Sequence, residues 1–356
     1  MSYIHWSKIH DGDFFSPWSL LLAPLSFLYG FGARLHHRNA RRAKKSALDG
    51  FVVSIGNLTT GGTGKTPAVH MLAKWARDEG FRAAVLSRGY GGSHRKGVLE
   101  VSDGDTILAG PREAGDEPYL LARKLRSVPV VISKDRYMAG LLAQQKHGTN
   151  FFILDDGFQH LALKRDLDLV LLDASNPFGN GHLLPWGPLR EPKEHLERAD
   201  AFIITRSQGK TGKGLLDILE AGFPDKPIFW SEHRPESVVL PGDDRVGPDF
   251  LEGKRVIAFA GIARPQFFKE TLARLGAEML SYRPFRDHYA FSHRDIQDLV
   301  HHKEIMKADL LITTEKDWVR IQGMMPESSH IAYLTISFQL SSSFRDFFFK
   351  SLKKSC

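Results

Sequence analysis

The sequence predicts an α/β protein with a doubly wound, mostly parallel α/β/α sheet and a second, smaller α/β/α unit. From residue 51 onward, short runs rich in Val, Ile, Leu and Phe alternate with helical stretches. This alternation is typical of parallel strands joined by crossover helices. The strand-like runs are apolar at nearly every position, which indicates strands buried on both faces and therefore helices on both sides of the sheet.

The first predicted unit spans residues 46–222. Its predicted strands cover residues 51–56, 82–87, 128–133, 151–156, 167–173 and 201–205. Its predicted helices cover residues 65–79, 116–126 and 135–147. Strand and helix alternate in this order, as crossover connections require.

The composition changes after the first unit. Residues 223–252 are rich in Pro, Gly, Asp and Glu, which predicts a linker with extended segments. A second α/β unit follows at residues 253–356. Its predicted strands lie near 255–260, 309–314 and 331–337, and its predicted helices near 265–275 and 293–306. A cleft between two such units is a natural place for a ligand.

Composition sets broad limits on the partners. The formal charge of +7 suits an anionic partner such as a nucleotide, a phospholipid or a nucleic acid, without choosing among them. The single cysteine is the last residue, Cys356. No internal disulfide is therefore possible, and we expect a cytosol-facing protein.

An apolar segment near the N-terminus predicts a membrane-associated helix within residues 1–45. Residues 14–33 carry no charge, and six basic residues follow at Arg34, Arg38, Arg41, Arg42, Lys44 and Lys45. Such a basic cluster favours the cytoplasmic side and anionic headgroups. The length approaches the roughly 20 residues of a spanning helix, but Pro17 and Pro24 interrupt it. An interfacial helix, a full span and a buried amphipathic helix all fit this pattern; a signal peptide is not expected.

A glycine-rich run after the first strand predicts a nucleotide phosphate-binding loop, or P-loop. The run comprises Thr59, Thr60, Gly61, Gly62, Thr63, Gly64, Lys65 and Thr66. In such loops backbone amides surround phosphate oxygens, the lysine reaches the outer phosphates and the hydroxyl after it binds Mg²⁺. The usual pattern has Gly at the position of Thr59. The alternative is a glycine-rich turn that contains Lys-Thr by coincidence.

Two carboxylates at the end of a predicted strand are candidates for the metal site. Asp155 and Asp156 follow Phe-Phe-Ile-Leu and precede Gly-Phe-Gln-His. A nucleotide site needs a carboxylate at the tip of a neighbouring strand to hold Mg²⁺ or its water. N-capping of a following helix is the alternative role.

Transfer of a phosphoryl group to a hydroxyl benefits from a base that accepts the proton. Asp116, in the run Gly-Asp-Glu-Pro at a helix start, is the candidate base, and helix capping is its alternative role. His288 lies in a connecting segment of the second unit, from which it could contact the first unit across the cleft. An unassigned histidine is more often structural.

Charged side chains in loops and after strand ends are candidates for contacts with the substrate or with the transferred group. These are Arg88, Lys134, Arg136, Arg190 and Glu191. Sequence alone does not rank them.

Taken together, these runs resemble the tetraacyldisaccharide 4'-kinases, the lipid A 4'-kinases of Gram-negative bacteria. The runs SIGNLTTGGTGKTP, LSRGYGG, GDEP, SKDR, LDDGFQH, LLPWGPLREP and DHYAFS appear in the expected order between about residues 52 and 292. Threonine at position 59 is what this family shows. The resemblance is weakest after about residue 320.

The resemblance implies transfer of the γ-phosphate of ATP, with Mg²⁺, to the 4'-hydroxyl of tetraacyldisaccharide 1-phosphate. It implies Asp116 as base with His288, Lys65 and Thr66 in the phosphate and Mg²⁺ roles, and Asp155 or Asp156 near the metal. The expected partners are this lipid and the cytoplasmic face of the inner membrane, to which the protein is bound peripherally or by a shallow anchor. No nucleic acid and no obligate protein partner are expected.

The strongest rival is a P-loop GTPase or ATPase that acts as a switch or a metallochaperone. A guanine-reading Asn-Lys-x-Asp run is absent from the sequence, and residues 314–317 (TEKD) have the wrong spacing. A membrane scaffold that binds nucleotide without turnover is a more remote alternative.

Overall fold

A computed structural model of the chain describes residues 17–206, 213–324 and 331–355. Residues 1–16 of the predicted N-terminal segment and Cys356 lie outside these ranges. Within them the strands form one 13-stranded sheet. The predicted α/β fold class is confirmed.

The first unit contributes seven of these strands, and each of its predicted strands and helices is present. Its strands are β1 (Phe51–Gly56), β2 (Ala83–Ser87), β3 (Val98–Ser102), β4 (Val130–Ser133), β5 (Phe151–Asp155), β6 (Leu167–Asp173) and β7 (Ala201–Thr205). All pair in parallel except the edge strand β3, which runs antiparallel to β4.

Helices cover both faces of these strands. The N-terminal helix is α1 (Pro17–Arg42), and those of the first unit are α2 (Lys65–Asp78), α3 (Pro111–Ala114), α4 (Asp116–Lys124), α5 (Arg136–His147) and α6 (Lys213–Gly222). On one face, Val69 and Leu72 of α2 pack with Val53 and Ile153, which are neighbours across the β1–β5 pair. Each of these four side chains is at most 1% exposed, so apolar burial holds α2 over the strand tips that carry the polar residues.

The second unit has the predicted elements and three that its sequence pattern did not predict. Its strands are β10 (Arg255–Ala260), β11 (Glu278–Pro284), β12 (Leu310–Thr314) and β13 (Ile331–Leu340), and its helices are α7 (Pro265–Arg274), α8 (His293–Met306), α9 (Glu315–Ile321) and α10 (Ser342–Ser355). The elements not predicted are β11, α9 and α10.

Two contacts tie the units together. Strand β8 (Ile228–Val239) pairs in parallel with β7 at its start and antiparallel with β13 over the rest, and the short β9 (Arg245–Val246) pairs with its end. The strand order across the sheet is therefore β11-β10-β12-β13-β8-β7-β6-β1-β5-β2-β4-β3, with β9 paired to β8. From the other end of the chain, Phe344 and Phe348 of α10 are fully buried against the first unit, near Trp75 and Phe151. The domain boundaries at residues 46, 223 and 253 stay a prediction.

Helix α1 is continuous through Pro24 and leaves large apolar side chains in solvent. Leu20, Phe27 and Leu28 are 73%, 75% and 64% exposed. Within the described ranges, neither α1 nor another helix has the length and apolarity that a membrane crossing needs.

Candidate active site

The predicted P-loop joins β1 to the start of α2. Gly64 takes the N-cap position of α2 with φ 88°, a left-handed conformation that glycine adopts without strain. A Cβ atom at Gly64 would lie 2.6 Å from Nε2 of His233. No side chain caps this helix, so its first amides and the positive end of its dipole are available to phosphate oxygens.

A neighbouring segment explains why threonine is accepted at position 59. The amide of Thr60 donates to the carbonyl of Pro188 (2.8 Å), and the amide of Arg190 donates to the carbonyl of Leu58 (2.8 Å). Thr59 forms an antiparallel bridge with Leu189 between these bonds. Its backbone is not in the left-handed region, so this position does not need glycine.

Lys65 and Arg190 meet at the carboxylate of Asp156. Lys65 Nζ lies 3.0 Å from Asn57 Oδ1 and 3.4 Å from Asp156 Oδ1. Arg190 binds both oxygens of Asp156, at 2.8 and 2.9 Å. Burial alone would raise the pKa of Asp156, but the charges of Lys65 and Arg190 outweigh it and hold the pKa well below its ordinary range. Asp156 therefore stays ionised and orients both cations.

Asp155 has the environment expected of a metal ligand. Its Oδ2 accepts a hydrogen bond from Ser87 Oγ (3.0 Å), while its buried Oδ1 has no hydrogen-bond partner. Burial, with the nearby charges of Glu117 and Asp156, raises the pKa of Asp155 to about 7. Carboxylates held together in this way fit Mg²⁺, which prefers oxygen ligands and would relieve their repulsion. Of the predicted pair, Asp155 is therefore the better candidate for the metal.

Asp116 and His288 are brought together across the cleft, as the sequence predicted. His288 Nδ1 lies 3.3 Å from Asp116 Oδ2, and Arg320 Nε lies 2.6 Å from the same oxygen. Burial would raise the pKa of Asp116, but the hydrogen bonds from His288 and Arg320 and their charges lower it. The N-cap of α4 is Gly115, and the carboxylate of Asp116 bonds to these two side chains instead. The capping alternative for Asp116 is therefore wrong.

Two residues of α9 complete this contact and were missed by sequence reasoning. Lys316 Nζ lies 2.8 Å from Glu117 Oε1 and 3.2 Å from His288 Nε2. Arg320, one helical turn later, bonds Asp116 and also the buried Asp317 (2.7 Å). The available signal was the i, i+4 spacing of Lys316 and Arg320, which places both on one helix face.

Arg88, Lys134 and Arg136 follow the ends of β2 and β4. Arg88 and Lys134 are exposed, whereas Arg136 is only 4% exposed. Burial and the charge of Arg88 lower the pKa of Arg136 to about 10. In the described part of the chain, no carboxylate lies within ion-pair distance of Arg88 or Arg136, although Asp155 and Asp156 act on Arg136 electrostatically. Two neighbouring guanidinium groups that no carboxylate contacts directly form a potential anion site.

Comparison with known proteins identifies the family. The sequence model described as Tetraacyldisaccharide-1-P 4'-kinase matches residues 18–353. The chain belongs to this family.

Relatives of the kinase family support the assignment over nearly the whole chain. Tetraacyldisaccharide 4'-kinase of Syntrophus aciditrophicus is 40% identical over 91% of this chain and 90% of its own length. That of Desulfatibacillum aliphaticivorans is 42% identical over 92% and 91%. The solved structure of LpxK from Aquifex aeolicus in complex with ATP is 33% identical, has a TM-score of 0.76, and covers 94% of this chain and 98% of that one.

The predicted family, enzyme class and cofactor are thereby confirmed. The chain is an ATP-dependent kinase, and Mg²⁺ is the metal ion that such kinases use. The switch or metallochaperone alternative is not favoured.

In this kinase, the carboxylate of Glu191 is held by side chains outside the P-loop. Its oxygens accept hydrogen bonds from Gln159 (2.8 Å) and Arg198 (2.9 Å), and lie 2.8 Å from Nδ1 of His195. His37 of α1 stacks on His195, with ring centroids 4.0 Å apart.

The spacing of His37, Glu191 and His195 is close enough for a shared metal ion. However, the guanidinium of Arg198 bonds both Glu191 and Nδ1 of His37 (3.1 Å). A cation already occupies the space that a metal ion would need. We therefore assign this cluster to packing between α1 and the first unit.

The Glu191 cluster predicts a loss of stability in acid. Burial would raise the pKa of Glu191, but the hydrogen bonds from His195 and Arg198 lower it from 4.5 to about 2. A lowered carboxyl pKa stabilises the fold above pH 4.5 and loses that contribution as the pH falls toward 2. We expect the free energy of unfolding, measured by urea titration, to fall between pH 7 and pH 4 by about 1 kcal/mol more in the wild type than in Glu191→Gln. The control Glu197→Gln removes only an exposed pair with Arg41 and should behave like the wild type. If the free energy of unfolding changed equally with pH in the wild type and in Glu191→Gln, the lowered pKa of Glu191 would be contradicted.

Proposed function

We propose that the chain transfers the γ-phosphate of ATP to the 4'-hydroxyl of tetraacyldisaccharide 1-phosphate. The observation that carries this proposal is an ionised carboxylate at the mouth of a P-loop. Asp116 is held by His288 and Arg320 from the opposite unit. Its neighbour Glu117 lies within electrostatic reach of both Lys65 and Asp155, which supports placing the proposed base beside the phosphate site.

The P-loop residues Thr59 to Thr66 hold the phosphates of ATP in this proposal. Backbone amides at the start of α2 receive the phosphate oxygens, and Lys65 compensates the charge on the outer phosphates. Thr66 and Asp155 would hold Mg²⁺, with Glu117 close by. Held there, the ion would supply positive charge that offsets the negative charge of the phosphates. Asp156 and Arg190 keep Lys65 in place.

Asp116 accepts the proton of the attacking hydroxyl. As the 4'-oxygen bonds to the γ-phosphorus, the bond from that phosphorus to the β–γ bridging oxygen breaks and ADP leaves. The hydroxyl proton moves to the Asp116 carboxylate, where His288 and Arg320 fix the oxygen that faces them. Because its pKa is lowered, Asp116 is ionised at neutral pH and is ready to orient the hydroxyl.

The acceptor side of the cleft favours an anionic substrate. Arg88 and Arg136 offer two guanidinium groups that a phosphate of the acceptor, or the transferred group itself, can pair with. Tyr90, two residues after Arg88, contacts the edge of His288 with ring centroids 6.2 Å apart. This ring contact brings the loop that carries Arg88 next to His288, which supports a role for Arg88 near the base.

The acceptor also places the enzyme at a membrane surface. A multiply acylated sugar phosphate stays in the bilayer, so its kinase must work at the interface. The exposed apolar side chains of α1, followed by the basic residues Arg34 to Lys45, fit an interfacial helix on anionic lipid. We propose the cytoplasmic face of the bacterial inner membrane as its location.

The test is transfer of label from [γ-³²P]ATP in tubes with and without tetraacyldisaccharide 1-phosphate. We expect labelled lipid only when the acceptor is present, and little release of free phosphate without it. Equal phosphate release in both tubes with no labelled lipid would refute the kinase proposal and favour a P-loop ATPase.

A further inference from the structure

Two hydroxyl groups on the inner face of α1 hold the segment beside the P-loop. Ser26 Oγ donates to the carbonyl of Leu183 (2.7 Å), and Tyr29 Oη donates to the carbonyl of Arg190 (2.9 Å). Ser26 and Tyr29 are three residues apart, so they share one face of the helix. We call residues 183–190 the clamp segment, because α1 holds it at both ends.

The packing of α1 on the clamp segment is close. A Cβ atom added to Gly30 would lie 2.6 Å from Cδ1 of Leu183, so the helix backbone itself approaches this segment. Burial raises the pKa of Tyr29, although the charge of Arg190 opposes it. The hydroxyl therefore keeps its proton, and remains a donor, at neutral pH.

The clamp segment in turn bonds the phosphate site. Pro188 accepts the hydrogen bond from Thr60 of the P-loop. Arg190 holds both oxygens of Asp156 and also bonds Asn57. Contacts thus run without a gap from α1, through the clamp segment, to the residues that orient Lys65.

The opposite face of α1 is free for lipid. Leu21, Leu28 and Phe31 are 64%, 64% and 58% exposed. A single helix therefore presents apolar side chains outward and hydrogen-bond donors inward to the phosphate site.

We propose that Tyr29 of α1 is a positioning residue for phosphoryl transfer, which acts by holding the main chain of Arg190 so that its guanidinium meets Asp156. The membrane-binding helix is then also part of the catalytic framework. This inference rests on the proposed function, in which Arg190 and Asp156 orient Lys65 toward ATP. Ser26 supports the other end of the same segment.

The test compares Tyr29→Phe with a matched control elsewhere in the chain. Tyr282→Phe removes a similar bond, from a tyrosine hydroxyl to the carbonyl of Pro265 (2.6 Å), in the second unit. We expect Tyr29→Phe to lower kcat on detergent-dispersed acceptor by about five-fold, since one neutral hydrogen bond is lost. Tyr282→Phe should keep the wild-type kcat, although its Tm should change by about as much as that of Tyr29→Phe. Flotation with anionic vesicles should recover all three proteins equally.

A double-mutant cycle shows whether Tyr29 acts through Arg190. In Arg190→Lys, the lysine cannot bind both oxygens of Asp156 as the planar guanidinium does. Adding Tyr29→Phe to this variant should therefore lower kcat by less than a further two-fold. An unchanged kcat in Tyr29→Phe, or a full five-fold further loss in the Arg190→Lys background, would overturn the inference. The proposed function fails differently, because then the wild type itself would not label the acceptor.

Discussion

Replacing Lys65 with alanine should reduce phosphoryl transfer by at least about 10³-fold, because its charge is required where negative charge develops on the γ-phosphate. Lys65 Nζ is held between Asn57 and Asp156 at 3.0 and 3.4 Å. Water that filled the space left by the alanine variant would carry no net charge. The measurement is single-turnover transfer of label to the acceptor at saturating ATP.

The control for this variant is Lys74→Ala. Lys74 is an exposed lysine on the same helix, α2, and its removal changes net charge and helix composition by the same amount. It should keep turnover within about two-fold of the wild type, since it lies away from the first turn of the helix. If Lys65→Ala were folded and retained more than about a tenth of wild-type turnover, the assignment of the P-loop lysine would be wrong.

Much of the phosphate site could be predicted because it is encoded locally. Strand β1 is apolar at every position but Ser54 and Gly56, and the glycines that follow it leave few conformations open. Asp155 and Asp156 were found for the same reason, since they end an apolar strand. Parallel strands bring such ends to one edge of the sheet, so sequence position implied spatial proximity.

The contact around Asp116 could be predicted only in part, because it depends on how two units face each other. Asp116 and His288 were found as polar residues in loops, but Lys316 and Arg320 lie on the short helix α9. The local sequence predicts that these two cations lie on one face of a helix. It does not predict which element that face packs against. Only the arrangement of α9 beside α4, fixed by the shared sheet, shows that they reach Glu117 and Asp116.

Strand β8 illustrates a second limit. Its exposed half contains Glu232, Arg234, Pro235 and Glu236, which read as a polar linker. Burial returns only at Val238 and Val239. Pro235 cannot donate a backbone hydrogen bond, and the pairing of β8 with β13 shifts register beside it. Polar composition therefore predicted extended segments in this linker, but not one strand of 12 residues that joins the two halves of the sheet.

Helix α10 follows the second unit in the chain but packs against the first unit, which its position in the sequence does not suggest. The run Phe347, Phe348 and Phe349 gives no clear helical period, because three consecutive aromatic residues point in different directions. Phe348 is fully buried against the first unit, whereas its two neighbours are only partly buried. Sequence cannot identify which of three phenylalanines enters a core more than 190 residues away in the chain, at Phe151.

Asp116→Asn should lower kcat by more than about 10²-fold while leaving the KM for ATP nearly unchanged. Asparagine keeps the size of the side chain and can still accept a hydrogen bond from Arg320, but it cannot take the proton of the hydroxyl. Asp295→Asn is the matched control, because Asp295 is an aspartate in the capping box of α8. It should lower Tm and leave kcat unchanged.

The residual rate of this variant, measured across pH, separates a base from a merely structural carboxylate. Because the folded pKa of Asp116 is lowered, it remains ionised from neutral pH down to below about 3.9, the ordinary value for aspartate. Its own titration should therefore leave kcat level between pH 8 and pH 6, and Asp116→Asn should give a uniformly low rate over that range. If the variant instead kept more than a tenth of wild-type kcat at pH 7, proton transfer to Asp116 would not limit the reaction, and its bonds to His288 and Arg320 would serve only to hold the two units together.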